Sequence, residues 1–147
     1  MIVDSLLLFS NAQDLTTATA GTALASSNVL DFSQNRDFGP TGPFKVWAEF
    51  TSLPASATAG ATLDVAVQIS QDGTTWTTLE DFPGIAVSDI TASMPFAVRA
   101  KPAFSNTLYR YMRLTYTVSA ALTSGTVTAG INLDVPGQHA YPRNYVA

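Results

Sequence analysis

Apolar and polar residues alternate along most of this chain. From Ala61 to Ser70 the odd positions Leu63, Val65, Val67 and Ile69 are apolar, and the even ones mostly polar. Met112, Leu114, Tyr116 and Val118 alternate in the same way with Tyr111, Arg113, Thr115 and Thr117. The period returns at Val127, Ala129, Ile131, Leu133 and Val135, and at Phe44, Val46, Ala48 and Phe50 against Lys45, Trp47, Glu49 and Thr51. A period of two describes an antiparallel strand with one face in a core. Shorter strands are expected over 2–9, 28–32, 75–79, 85–88 and 96–100. The Ala-rich stretch 11–25 is a poor helix, because Thr16, Thr17, Thr19, Gly21 and Thr22 all disfavour one. About eight or nine short strands with Gly, Pro, Asn and Asp between them predict an all-β fold, a two-sheet antiparallel β-sandwich of jelly-roll type.

Two segments leave the pattern. Residues 10–27 are rich in Ser, Thr and Ala and are expected to form an extended arm after the first strand. Residues 136–147 carry too much proline for a central strand and are expected to form an extended C-terminal tail. The domain reading is therefore a sandwich over 1–135, with the arm 10–27, followed by the tail. Tyr141, Arg143 and Tyr145 crowd into that tail, and Tyr and Arg are enriched at protein interfaces.

Composition narrows the function classes. At 147 residues the chain can bury a full core as one domain. Only 12% of residues are charged, about half the usual share. Such a surface is poor at electrostatic recognition and suited to lying against another protein. The net charge is −4, and the seven Lys and Arg are scattered, so there is no basic stripe for a phosphate backbone. Nucleic acid is not an expected partner. Cysteine is absent, which rules out disulfides and thiolate metal sites. The apolar start Met1–Phe9 lacks a basic leader, contains Asp4 and is far short of the ~20 residues of a membrane span. No membrane partner and no cofactor or metal is expected.

The most patterned stretch is Ser70-Gln-Asp72-Gly73-Thr-Thr-Trp76. Asp-Gly supplies the left-handed position of a tight hairpin, over which Trp76 can fold as a packing residue. A sialidase-type Asp box would need one more residue between Asp72 and Gly73. A discoidin-like sugar-binding jelly roll often pairs such a hairpin with an Arg-Tyr-x-Arg-Leu strand, here Arg110–Leu114, which leaves a carbohydrate-binding module as the alternative reading. Trp47, Tyr111 and Arg113 fall on the polar phase of their strands and are candidate contact residues for a protein partner or a sugar. Catalysis has little to build on. The carboxylates are dispersed without a distinctive pair, and the one histidine, His139, lies in the tail without a nucleophile motif. The chain is expected not to be an enzyme.

From end to end the chain resembles the jelly-roll cement (decoration) proteins of tailed bacteriophage heads, of the kind known from the Bordetella phage. The resemblance rests on Met1-Ile-Val-Asp-Ser-Leu-Leu-Leu-Phe-Ser-Asn-Ala-Gln-Asp14, Ser27-Asn-Val-Leu-Asp31 and Gln68-Ile-Ser-Gln-Asp-Gly-Thr-Thr-Trp76. It continues through Arg110-Tyr-Met-Arg-Leu-Thr-Tyr116 and Gly125-Thr-Val-Thr-Ala-Gly130 to Tyr141-Pro142. It implies a non-enzymatic protein made in the host cytoplasm and carried on the outer surface of the virion. There it would bind major capsid protein, tie neighbouring subunits together and associate with itself as a dimer or trimer.

Overall fold

The computed structural model describes residues 4–36, 45–91, 96–98 and 108–132. Among them the strands run β1 (Leu8–Asp14), β2 (Leu24–Ala25), β3 (Leu30–Arg36), β4 (Lys45–Ser56) and β5 (Thr62–Ser70). They continue with β6 (Thr77–Ala86), β7 (Phe96–Val98), β8 (Tyr109–Val118) and β9 (Leu122–Asn132). One sheet has the order β1-β9-β4-β7, and the other β2-β8-β5-β6 with β3 also on β8. Every pairing is antiparallel. Leu24–Ala25 lies beside Thr115–Tyr116, and Leu30–Asp31 beside Tyr111–Met112. β2 and β3 are thus one edge strand of β8, interrupted at 26–29. Counted as one, they complete a nested order: first strand with last, second with second-last, third with sixth, fourth with fifth. That is the jelly roll, a long hairpin wrapped into two sheets.

In β5 and β8 the apolar phase read from the sequence is the buried one, while Phe44, Leu133 and Val135 lie outside the described residues. Leu63, Val65, Val67 and Ile69 of β5 and Met112, Leu114, Tyr116 and Val118 of β8 point into the core. Val46, Ala48 and Phe50 of β4 meet them from the other sheet with Val127 and Ala129 of β9. Each fully buried aliphatic side chain contributes about 1.5–3 kcal/mol.

Several boundaries differ from expectation. The first strand is not 2–9. Asp4 accepts the Leu6 N–H on Oδ1 (2.9 Å) and caps a 3₁₀ turn at Ser5–Leu7, and the strand begins at Leu8. Residues 77–79 and 85–86 belong to the single strand β6, 75–76 lie in the loop before it, and 87–88 in the 3₁₀ turn Val87–Asp89 that follows, so the expected strands 75–79 and 85–88 are not separate. The largest correction concerns residues 10–27, which are no arm. Ser10–Asp14 pairs with β9, Leu15 and Ala18 are buried in the core, and Leu24–Ala25 pairs with β8. The stretch crosses from one sheet to the other over the end of the sandwich, held by Leu15 N–H to Gly125 O (2.9 Å) and Gly21 N–H to Val118 O (2.8 Å). Its polar side chains satisfy buried groups. Ser10 Oγ, itself buried, donates to Gln13 Oε1 (2.7 Å) and lies 2.9 Å from the Tyr116 hydroxyl on the opposite sheet. With the serine proton committed to Gln13, the tyrosine is the donor. Burial pushes the Tyr116 phenol well above its ordinary pKa, against the opposing Ser10 bond, so it stays neutral and able to donate.

Two backbone positions hold β1 in place. Gly130 of β9 sits between Leu8 and Trp47. A Cβ there would lie 2.8 Å from the Leu7 carbonyl oxygen and 3.3 Å from Trp47 Cζ2. Ala12, inside the bulged part of β1, has φ +47, and its N–H donates to Thr128 Oγ1 (2.9 Å). The left-handed region costs an L-residue roughly 1–2 kcal/mol, and glycine avoids that at an entropic cost of roughly 0.5–1 kcal/mol. Gly130→Ala should therefore destabilise the protein by about 1–3 kcal/mol, while Ala12→Gly should be neutral or slightly stabilising. Thermal melts followed by circular dichroism check both. A Gly130→Ala protein that melts with the parent would refute the close approach.

Candidate functional site

The hairpin between β5 and β6 and the outer face of β8 form one continuous surface. The last rung of the hairpin is Ile69 opposite Thr77, so the connection is longer than the tight two-residue turn expected from Asp-Gly. It is built around two side chains. Buried Ser70 accepts the Gly73 N–H on Oγ (2.9 Å) and donates to Asp72 Oδ1 (2.9 Å). Asp72 Oδ1 accepts the N–H groups of Thr75 (2.7 Å) and Thr74 (2.8 Å), and Oδ2 accepts the Thr75 hydroxyl (3.1 Å). These donors, the Thr75 N–H foremost, hold the Asp72 carboxyl far below the usual carboxylate range. Gly73 takes the left-handed conformation, φ +74, that the motif called for. A Cβ on it would be 3.4 Å from the Tyr111 ring, so the loop backbone packs on that ring.

β8 supplies the other half. Arg113 lies opposite Gln68, and its Nε donates to Gln68 Oε1 (2.9 Å). The guanidinium carbon stands 4.0 Å from the centroid of the Trp76 ring. Arg110 lies over Tyr111 at 4.9 Å and donates through Nε and an Nη to the two carboxylate oxygens of Asp31, each at 2.7 Å. That fork ties β3 to β8. The Arg110 bond lowers the pKa of Asp31, and Asp31 raises that of Arg110. Arg113 shows the opposite shift: desolvation lowers its pKa, and among the described residues no carboxylate pairs with it.

Of the candidate contact residues, Tyr111 and Arg113 come together here, on the outer phase read from the sequence and half-buried. Trp76, expected as a packing residue, is also half-buried and joins them, while Asp72 and Gly73 shape the loop. Trp47 does not join. It is 2% exposed, enclosed on the outside of the other sheet where Gly130 leaves room for it and the Leu7–Leu8 backbone crosses. Trp47 is therefore no surface contact. Tyr141, Arg143, Tyr145 and His139 lie outside the described residues. Sequence reasoning missed Gln68 and Asp31; their signal is the cross-strand register, which places each beside β8.

A hollow of about 320 Å³ beside the loop is lined by Ser70, Gln71, Asp72, Thr75, Thr77 and Tyr109. Both oxygens of its one carboxylate, Asp72, are engaged by the turn. Among the described residues no group of three or more His, Cys, Asp or Glu could hold a metal ion, and no helix is long and apolar enough to cross a membrane. One face of the Trp76 ring is covered by Arg113, and the Tyr111 ring packs against the loop, which leaves less aromatic surface for a stacked sugar.

Because Trp76 is half-buried and stacked, Trp76→Ala should cost about 1–2 kcal/mol, less than the 3–5 kcal/mol of a buried tryptophan. Asp72→Asn tests the charge in the turn by its pH dependence. A depressed folded-state pKa contributes stability that is present above the unfolded value of 3.8 and lost as pH falls towards the folded one. The variant should melt below the parent at neutral pH, and the gap should close in acid below 3.8. A gap that stays constant with pH would show that the carboxylate's charge is not what holds the loop.

No curated protein matches the chain. Residues 9–131, from β1 through most of β9, match the model of the family described as Bbp16. They include the crossover, both sheets and the whole hairpin–β8 surface, and the chain belongs to the Bbp16 family.

Proposed function

We propose that this protein is a structural component of a phage virion, a cement protein that binds the outer surface of the head and ties neighbouring major capsid protein subunits together. The observation that carries the reading is the family match over 9–131, whose name points to a Bordetella phage protein. The end-to-end resemblance to head cement proteins supplies the finer role. The chemistry of the chain supports it. The described buried serines are spent on holding the fold, Ser10 to Tyr116, Ser26 to Leu114 N–H and Ser70 to Gly73 N–H. The protein acts without catalysis and without a cofactor.

A cement protein gains affinity from many modest contacts repeated across seams, because linked binding events add through effective concentration. A chain with only 12% charged residues suits this, since little charge must be desolvated when its surface is covered. The proposed contacts are the tail residues Tyr141, Arg143 and Tyr145 together with the β8 face. Self-association as a dimer or trimer with closed symmetry belongs to the same reading. The carbohydrate-binding alternative gains no support from rings already packed against their own chain.

The direct test is co-sedimentation with phage heads that lack this protein. The intact chain should pellet with them. Deletion of 138–147 should leave the β circular dichroism and melting nearly unchanged and weaken head binding tenfold or more, about 1.4 kcal/mol. Intact protein that stays in the supernatant at every concentration would defeat the reading, and full-strength decoration by the truncated chain would defeat the tail's part in it.

A further inference from the structure

The two arginines of β8 share one architecture and differ in one respect. Each guanidinium lies over an aromatic ring, Arg110 over Tyr111 and Arg113 over Trp76. Arg110 is neutralised by a two-point ion pair with Asp31. Arg113 has no carboxylate partner among the described residues; its one hydrogen bond goes from Nε to a neutral amide, Gln68 Oε1. Among the described residues no acceptor meets the Nη1 and Nη2 edge. A half-buried cation lacking a counter-charge is a cost to the fold, and its lowered pKa reflects that desolvation.

We propose that the Nη1/Nη2 edge of Arg113, on the outer face of the sheet formed by β8 and β5, docks a carboxylate from an acidic segment of the capsid protein. The proposal rests on the head-binding reading above. The fork is held in advance, with Trp76 against one face of the guanidinium and Gln68 fixing the Nε edge, so little rotamer freedom remains to be lost on docking. The charge nearby selects the ligand. Asp31 cancels Arg110, and the ionised Asp72 stands in the loop that carries Trp76. One uncancelled positive charge fits a planar monoanion with two oxygens better than a dianionic phosphate. The chain's net charge of −4 gives no long-range pull on an acidic partner, so recognition here depends on fork geometry at short range.

The test uses heads lacking the protein, the full-length chain, and two variants, Arg113→Lys and Arg113→Gln. Lysine keeps the charge but loses the planar fork. Both variants should pellet with about tenfold weaker affinity than the parent and should melt within a few degrees of it. Heads whose surface carboxylates have been amidated with carbodiimide and glycinamide give an independent arm. They should bind the parent chain as weakly as untreated heads bind Arg113→Gln, and amidation should change the variant's binding little. If Arg113→Lys binds like the parent, the fork is not the recognition element. If amidation weakens parent and Arg113→Gln by the same factor, the carboxylates it removes are not those Arg113 meets. Either result overturns the proposal, as does an Arg113→Gln protein that loses self-association in free solution yet decorates heads normally, since the occupant would then be a second copy. Should Arg113→Gln fail to fold, the lysine variant and the parent chain on amidated heads decide it: full-strength binding in either sinks the proposal. If the parent chain itself never pellets with heads, the head-binding reading fails first and this inference falls with it.

Discussion

The hydrogen bond between the hydroxyls of Tyr116 and Ser10 crosses the inside of the sandwich, and the organisation of the first third of the chain depends on it. Tyr116 is anchored in β8, fully buried, with a polar atom that must find a partner in the core. Ser10 supplies one from the opposite sheet and passes the requirement on to Gln13. Gln13 then fixes the interrupted edge strand, donating to the Ala25 carbonyl (2.9 Å) and accepting the Ser27 N–H (2.8 Å). Asn28 completes the stitch, its Nδ2 donating to Leu8 O and its backbone N–H to Phe9 O, both at 2.8 Å. The crossover between sheets is thereby fixed by a polar chain running from the core to the edge. Removing Ser10 would leave the Tyr116 hydroxyl unsatisfied in the core, where the loss exceeds that of the exposed bonds to Ser27 and Asn28 at the outer end of the chain.

This explains how much of the fold was legible. β5 and β8 were plain in the sequence because neither contains a bulge and every second side chain is large and apolar. The 10–27 crossover was hidden for two physical reasons. Register shifts between Leu8, Ser10 and Gln13 break the period of two, so no alternation survives to be read. Apart from Leu15, its buried positions are also held by small or polar residues, Ser10, Ala18 and Ser26, whose burial depends on partners far away in sequence. Trp47 shows the same limit. Its outward phase was correct, but its burial depends on a glycine opposite and on a chain segment passing above, neither of which periodicity encodes.

The β8 surface was legible as a set of residues but not as a set of pairings. Trp76, Tyr111 and Arg113 stand out by type and phase. Which arginine meets an acid is decided by register: Asp31 comes to Tyr111 through β3, and Gln68 to Arg113 through β5. Exchanging the partners would leave the composition identical and reverse which cation is satisfied. Sequence identifies the candidate cations, and strand pairing assigns their chemistry.

The pairing of a Ser-x-Asp-Gly hairpin with an Arg-Tyr-x-Arg strand can now be understood as one mechanical unit. Asp72 gathers the Thr74 and Thr75 N–H groups and so sets where the chain emerges at Trp76. Trp76 reaches β8 through Arg113, and Gly73 reaches it through Tyr111. The loop is thus clamped at two points onto a strand that is not its neighbour in sequence, and Gln68 of β5 closes the connection behind it. A clamp of this kind needs aromatic rings for area and guanidinium planes to stack on them, the same residue types a sugar site would use. The shared vocabulary is why the motif suggests carbohydrate binding on paper. In this chain the ring faces engaged by the clamp serve the sandwich, and register decides which guanidinium meets an acid: Arg110 is paired with Asp31, and Arg113 bonds the neutral amide of Gln68.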